Sequence, residues 1–168
     1  MDKLDVGCGP NCMEGAVGLD IAKFDGVDIV HDMNIAPWPV EDNSFDYIRG
    51  IHIIEHISDL DNFIKELGRV ARDNCVLEFI TPHYSSYTSW GDVDHKWHFA
   101  LASIPILLRR NYSEEEFTVE SCELRFSGSV LEWPGKLIYK MSKKKYEKHF
   151  AFMFPAQEYF CRIRFHKK

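Results

Sequence analysis

Three groups of residues have types and spacings suited to chemistry. The first is Asp5-Val6-Gly7-Cys8-Gly9-Pro10, a D-x-G-x-G turn, followed by Asp20 and Asp32. The two glycines let the chain turn tightly and let a ligand approach without a Cβ in the way. A carboxylate at Asp20 can accept both hydroxyls of a ribose, and one at Asp32 can accept from an exocyclic adenine amine. A dinucleotide motif would place a third glycine where Cys12 stands. It would also place its ribose acid farther from Gly9, about 20 residues on. The ligand therefore need not carry a pyrophosphate. Asp5 points the same way, because it would repel phosphate and attract an ammonium or sulfonium cation.

The second group is His52-Ile53-Ile54-Glu55-His56, which matches H-x-x-E-H, a zinc-peptidase pattern. That chemistry needs both histidines on one face of a helix. The third group is His83, Asp94, His95 and His98, interleaved with Tyr84, Trp90 and Trp97. A neutral imidazole there could take a proton from a reacting group, and the aromatic faces could hold a cation or a flat ligand. His83 and His95 are the expected catalytic residues. His98 reads equally well as a cap on backbone groups, and Trp97 and Phe99 as lid core. With no C-x-x-C pair, no thiolate zinc site is expected, and no metal is assigned.

These groups are positioned by short apolar runs that alternate with helical or looped stretches. Strands are predicted at 3–6, 16–20, 27–31, 45–51 and 75–81, and, after a less regular stretch, at 116–126 and 158–165. Residues 35–39 hold two prolines and read as a loop. The clearest helix is 58–72, where Leu60, Phe63, Ile64, Leu67 and Val70 recur at helical spacing. Ser58 is its expected N-cap, with Asp61 reaching back as in a capping box. A second helix is predicted over 134–150. This alternation implies an α/β fold, a doubly wound and mostly parallel sheet. Ligands of such sheets sit beyond the carboxyl ends of the strands.

The chain has 168 residues, 45% of them hydrophobic, enough for one domain with a packed core. Its formal charge of −6 argues against a broad nucleic-acid surface. Lys143, Lys144, Lys145 and Lys148 read as a solvated helix face. Five scattered cysteines suggest reduced thiols in a cytosolic protein. Neither a secretory leader nor a membrane span is expected.

The residues Leu4 to Pro10, Val17-Gly18-Leu19-Asp20, Asp32-Met33, Trp38 to Asp46 and His52 to Ile57 resemble the class I S-adenosylmethionine-dependent methyltransferases. The resemblance covers the first half of the chain in order and spacing. It implies a Rossmann-like seven-stranded sheet whose last strand is antiparallel. It also implies a cofactor, S-adenosylmethionine, with its methionine part near Asp5, Gly7, Cys8 and Gly9. Asp20 and Ile21 would hold the ribose side, and Asp32 and Met33 would frame the adenine. Gly50, Ile51 and His52 would lie under the sulfonium. The first helix, between Pro10 and Val17, is nearly absent, and strand one lacks the preceding helices with which many members cover the site, so the lid is expected from residues 82–115 or from a partner chain. The expected activity is methyl transfer by direct displacement to a small molecule. The alternatives are a non-catalytic cofactor-binding partner module and a zinc hydrolase using His52, Glu55 and His56. No nucleic-acid or membrane partner is expected, and a homodimer is left open.

Overall fold

The computed structural model describes residues 1–167. Its short apolar segments pair into one seven-stranded sheet of order β3-β2-β1-β4-β5-β7-β6. Five strands run parallel: β1 (Lys3–Val6), β2 (Val17–Asp20), β3 (Ile29–Val30), β4 (Phe45–Ile51) and β5 (Ala71–Pro82). The last strand, β7 (Glu158–Phe165), inserts antiparallel between β5 and β6 (Phe117–Arg125). The sheet is therefore Rossmann-like with an antiparallel last strand. The third strand is shorter than predicted, and at its start the Asp28 carboxylate takes the Gly18 N–H at 2.8 Å while its own N–H donates to the Gly18 carbonyl at 2.9 Å.

Helix α1 (Leu60–Val70) crosses from β4 to β5 and buries Phe63, Ile64, Leu67 and Val70 completely. Each such side chain contributes about 1.5–3 kcal/mol relative to exposure. Its N-cap is Asp59, which accepts the Asn62 N–H at 3.0 Å. Ser58 instead accepts from Lys96, and Asp61 turns outward to Arg110 and Asn111. The helix ends before Ala71, because the chain enters β5 with no intervening loop. Arg72 then faces outward to Asp2 and Asp46.

The region 82–115 holds two helices that the periodicity did not reveal. The short α2 (Tyr87–Gly91) overhangs the end of β5. Helix α3 (Ser103–Asn111) buries Ile104, Leu107 and Leu108 and is tied to α1 through Asp61, so it belongs to the core. The helix predicted over 134–150 is two helices, α4 (Trp133–Met141) and α5 (Lys143–His149). Ser142 breaks it by turning extended and capping α5 through the Lys145 N–H.

The expectation of five reduced thiols is corrected. Cys8 and Cys12 are joined as a disulfide that closes the turn where the first helix is missing. A local pair of this kind needs only a turn that folds back on itself, and here the Cα atoms lie 4.7 Å apart. Gly18, on the neighbouring strand, leaves room for it: a Cβ there would lie 2.9 and 3.0 Å from the two sulfurs. Cys75, Cys122 and Cys161 are free. Among the described residues no helix is long and apolar enough to cross a membrane.

Candidate active site

The ends of β1, β2 and β4 bring the first group of residues together. Gly7 and Gly9 both take positive φ, and a Cβ on Gly7 would fall 2.6 Å from Ile53. Around Gly9 that direction is open, with no atom within 4 Å. Asp20 is held by the N–H groups of Gly9 at 2.8 Å and Ala22 at 2.9 Å. A carboxylate has about four acceptor sites, so it retains capacity for a diol. Two cavities open beyond these strand ends, though Asp20 itself lines neither. One, of about 200 Å³, is lined by Asp5, Gly7, Cys8, Asn11, Arg49 and Ile51. The other, of about 300 Å³, is lined by Ile21, Asp32, Met33, Ile53, His56 and Lys96 among others. Asp32 is kept below the ordinary carboxylate range, chiefly by the backbone N–H of Asn34 and then by its side-chain amide.

Asp5 does not play the part the sequence suggested. It is 1% exposed, and its carboxylate is taken up by Arg49, at 3.0 and 2.5 Å, and by the Met13 N–H. Its charge is therefore already paired and is not free to attract a cation. The cation facing the smaller cavity is Arg49, which the sequence reading passed over. Its signal was register: a strand-four arginine lies directly beside a strand-one acid in adjacent parallel strands. Gly50 lines neither cavity, since Ile53 and Phe79 close over it.

The second and third groups meet at a larger cavity of about 690 Å³, walled by His52, His56, Tyr87, Asp92, His95 and Glu158 among others. His52 leaves β4 with φ 52°, in the left-handed region that non-glycine residues seldom adopt. Its ring sits 3.3 Å from Glu55 and 3.3 Å from Glu158. The hydrogen bond to Glu55 is the main reason its pKa lies above the ordinary histidine value, with burial opposing. Residues 54–56 form a single 3-10 turn. The loop 94–97 is clamped on that turn: Lys96 N–H donates to the Glu55 carbonyl at 2.8 Å, and Trp97 Nε1 donates to Ile57 at 2.6 Å.

A family profile described as a methyltransferase domain matches residues 1–119. This chain belongs to the methyltransferase-domain family. It is 27% identical over 160 residues to a probable S-adenosylmethionine-dependent methyltransferase of Mycolicibacterium smegmatis, covering 78% of this chain and 62% of that one. It is 34% identical over 97 residues to a ubiquinone biosynthesis O-methyltransferase of Pelagibacter ubique, covering 46% of this chain and 40% of that one. The chain thus spans less than two thirds of the length of either relative. Among solved structures, a methyltransferase from Archaeoglobus fulgidus superposes with a TM-score of 0.67 at 17% identity, over 97% of this chain and 85% of that one.

S-adenosylmethionine is the cofactor that a methyltransferase of this family must hold. The donor set fits it: an acid at the end of β2 with spare acceptor capacity, open space beside Gly9, and two cavities beyond the strand ends.

Two further expectations need correction. His83 is fully buried and does not reach the large cavity. One ring nitrogen bonds Ser85 at 2.8 Å and the other meets Glu147 at 3.3 Å. It ties α5 to the end of β5 and is removed from the catalytic set. His98 stacks on Trp90 at 3.5 Å and bonds the Ser89 hydroxyl at 2.9 Å, so it neither faces the large cavity nor caps a backbone group. Of the third group, His95 alone among the histidines faces the cavity. The peptidase geometry does not form either. The motif is a 3-10 turn, and His52 and His56 turn to different partners, Glu55 and the Asp94 carbonyl.

Proposed function

We propose that this methyltransferase transfers a methyl group from S-adenosylmethionine to a small molecule held in the 690 Å³ cavity. The observation that carries the proposal is how the cavities adjoin. Ile51 lines the methionine-end cavity, and the next residue, His52, lines the large one. His56 lines both the adenine-end cavity and the large one. An acceptor seated there would lie beside the reactive end of the cofactor.

When bound, the cofactor supplies a methyl group on a sulfonium, already a strong electrophile. The chain's residues bind and align. Asp20 would accept from the ribose hydroxyls, Arg49, while paired with Asp5, would offer positive charge to the methionine carboxylate, and Met33 and Ile21 would hold the adenine. His95 Nε2 is placed to accept a proton from the acceptor, and the remaining rate comes from positioning and from excluding water. The cavity lies within the size range of small-ligand sites, about 300–1,000 Å³, and the net charge of −6 disfavours a polyanionic acceptor.

Calorimetric titration with S-adenosylmethionine and S-adenosylhomocysteine, on the wild type and on Asp20→Ala, tests the cofactor site. A panel of small acceptors with His95→Gln then tests the rest. The expected result is lost turnover with cofactor affinity retained. Full turnover by His95→Gln would refute its assignment.

A second reading, a module completed by a partner chain, is favoured by the open cavity mouth, where Tyr87 is 83% and Val93 95% exposed. Cofactor binding without turnover of any acceptor would support it.

A further inference from the structure

We propose that Glu55, His56 and His95 bind one divalent first-row transition-metal ion in the wall of the large cavity. One donor atom from each lies within 4.8 Å of the other two. Binding at the usual distance of about 2.0–2.2 Å would draw them together by only an ångström or so. Two histidines and one carboxylate with open positions is a common set for such ions.

The surroundings prepare the ligands. His95 Nδ1 lies 3.1 Å from the Ser89 carbonyl, and His56 Nδ1 lies 3.3 Å from the Asp94 carbonyl. A carbonyl can only accept, so in each ring Nδ1 carries the proton and, while the ring is neutral, Nε2 keeps its lone pair. Metal-binding histidines are oriented in this way by their neighbours. Thr81 donates to one oxygen of Glu55 at 3.0 Å, while the other, 3.3 Å from His52 Nδ1, lies 4.0 Å from His95 Nε2 and would have to be shared with the ion.

His95 Nε2 looks toward two carboxylates. It is nearly buried, and the groups it faces are Glu55 at 4.0 Å and Asp92 at 3.7 Å. Neither distance is a hydrogen bond. A positive charge satisfies this gap, either as the proton of a charged ring or as a metal ion on the Nε2 of a neutral one. Asp92 is half exposed and can swing in as a fourth ligand. The backbone is fixed on both sides, since Lys96 bonds the Glu55 carbonyl through its N–H and the His56 carbonyl through its ammonium, each at 2.8 Å.

The function of the ion, though not its binding, rests on the cavity being the acceptor site. There it would favour ionisation of an acceptor hydroxyl, whose proton passes to solvent, and His95 would serve as ligand instead of proton acceptor. The substrate class is then an oxygen acceptor with a metal-binding hydroxyl.

The test is titration of chelator-treated protein with Zn²⁺ by calorimetry and with Co²⁺ by visible absorption. S-adenosylhomocysteine binding is measured on the same samples. The expected result is one ion per chain with the Co²⁺ bands of nitrogen and oxygen ligation. Affinity should fall at least about tenfold in Glu55→Gln and in the more exposed His56→Gln, and should be unchanged in His149→Gln. Absence of saturable metal binding in protein that binds S-adenosylhomocysteine would overturn this inference and leave the methyltransferase reading standing. Binding unaffected by either substitution would also overturn it. Metal binding without S-adenosylhomocysteine binding would support the metal site and refute the cofactor reading.

Discussion

At residues 5–33 the ligand-facing groups are held by backbone. Positive-φ glycines, two N–H groups on Asp20 and one on Asp32 do most of the work. At residues 52–97 the site is held by side chains and loops that meet across 38 to 40 positions of sequence. The first end is local and rigid because a turn imposes it. The second exists only once the loop 94–97 has docked. A site of the first kind can be lost by changing one acid. A site of the second kind can be loosened far from any ligand-facing atom, leaving the cofactor in place.

Four substitutions break or sharpen that contrast. The largest effect is expected of Arg49→Met, which strands the buried Asp5 without its partner. Breaking such a pair costs about 3–5 kcal/mol, to be read from denaturant unfolding, and it should take cofactor binding with it. A cost near zero would mean that the turn stands on backbone geometry alone. Next is Asp20→Ala, for which calorimetry should show cofactor affinity reduced roughly 100-fold, or about 3 kcal/mol.

Glu66→Gln should cost about 2 kcal/mol near neutral pH without favouring either end. Glu66 accepts the Trp38 N–H at 2.7 Å beneath the sheet. The Arg69 guanidinium holds its carboxyl below the ordinary 4.5. The stabilisation is therefore present above that ordinary value and is lost as pH falls through the lowered one. Urea melts of the two proteins should converge in acid, and a gap that widened there would reverse this assignment. The smallest effect is Trp97→Phe, which removes one hydrogen bond worth about 1 kcal/mol. Steady-state kinetics should show turnover falling while cofactor affinity holds, and equal losses in both would erase the distinction between the two ends.

The same contrast explains what could be read from sequence. Glycines and acids at fixed offsets from strands state a backbone requirement, so the turn at Gly7, the acid at Asp20 and the sheet itself were legible. The helix α1 was legible because Phe63, Ile64, Leu67 and Val70 repeat at its period. Arg49 was not, because strand register had to be known before it could be paired with Asp5. His83 misled because its residue type suits catalysis, whereas burial between Ser85 and Glu147 decides its part. The H-x-x-E-H pattern named Glu55 and His56 but paired them with His52. Their third member, His95, comes from a loop whose docking has no periodic signal. The Cys8–Cys12 link was missed because counting thiols across the chain says nothing about a turn closing on itself.

The position of β7 has a consequence for how the chain is made. Synthesis proceeds from the amino terminus, and β5 emerges more than seventy residues before the strand that pairs with its second edge. Until β7 emerges, the amide and carbonyl groups along that edge of β5 have no partner, and β6 has nothing to join. The nascent protein therefore passes through a stage in which its longest strand offers an open template to any neighbouring chain. Dense polysomes and slow translation of the last segment would lengthen that stage, so the yield of folded protein should depend on how promptly its final strand is delivered.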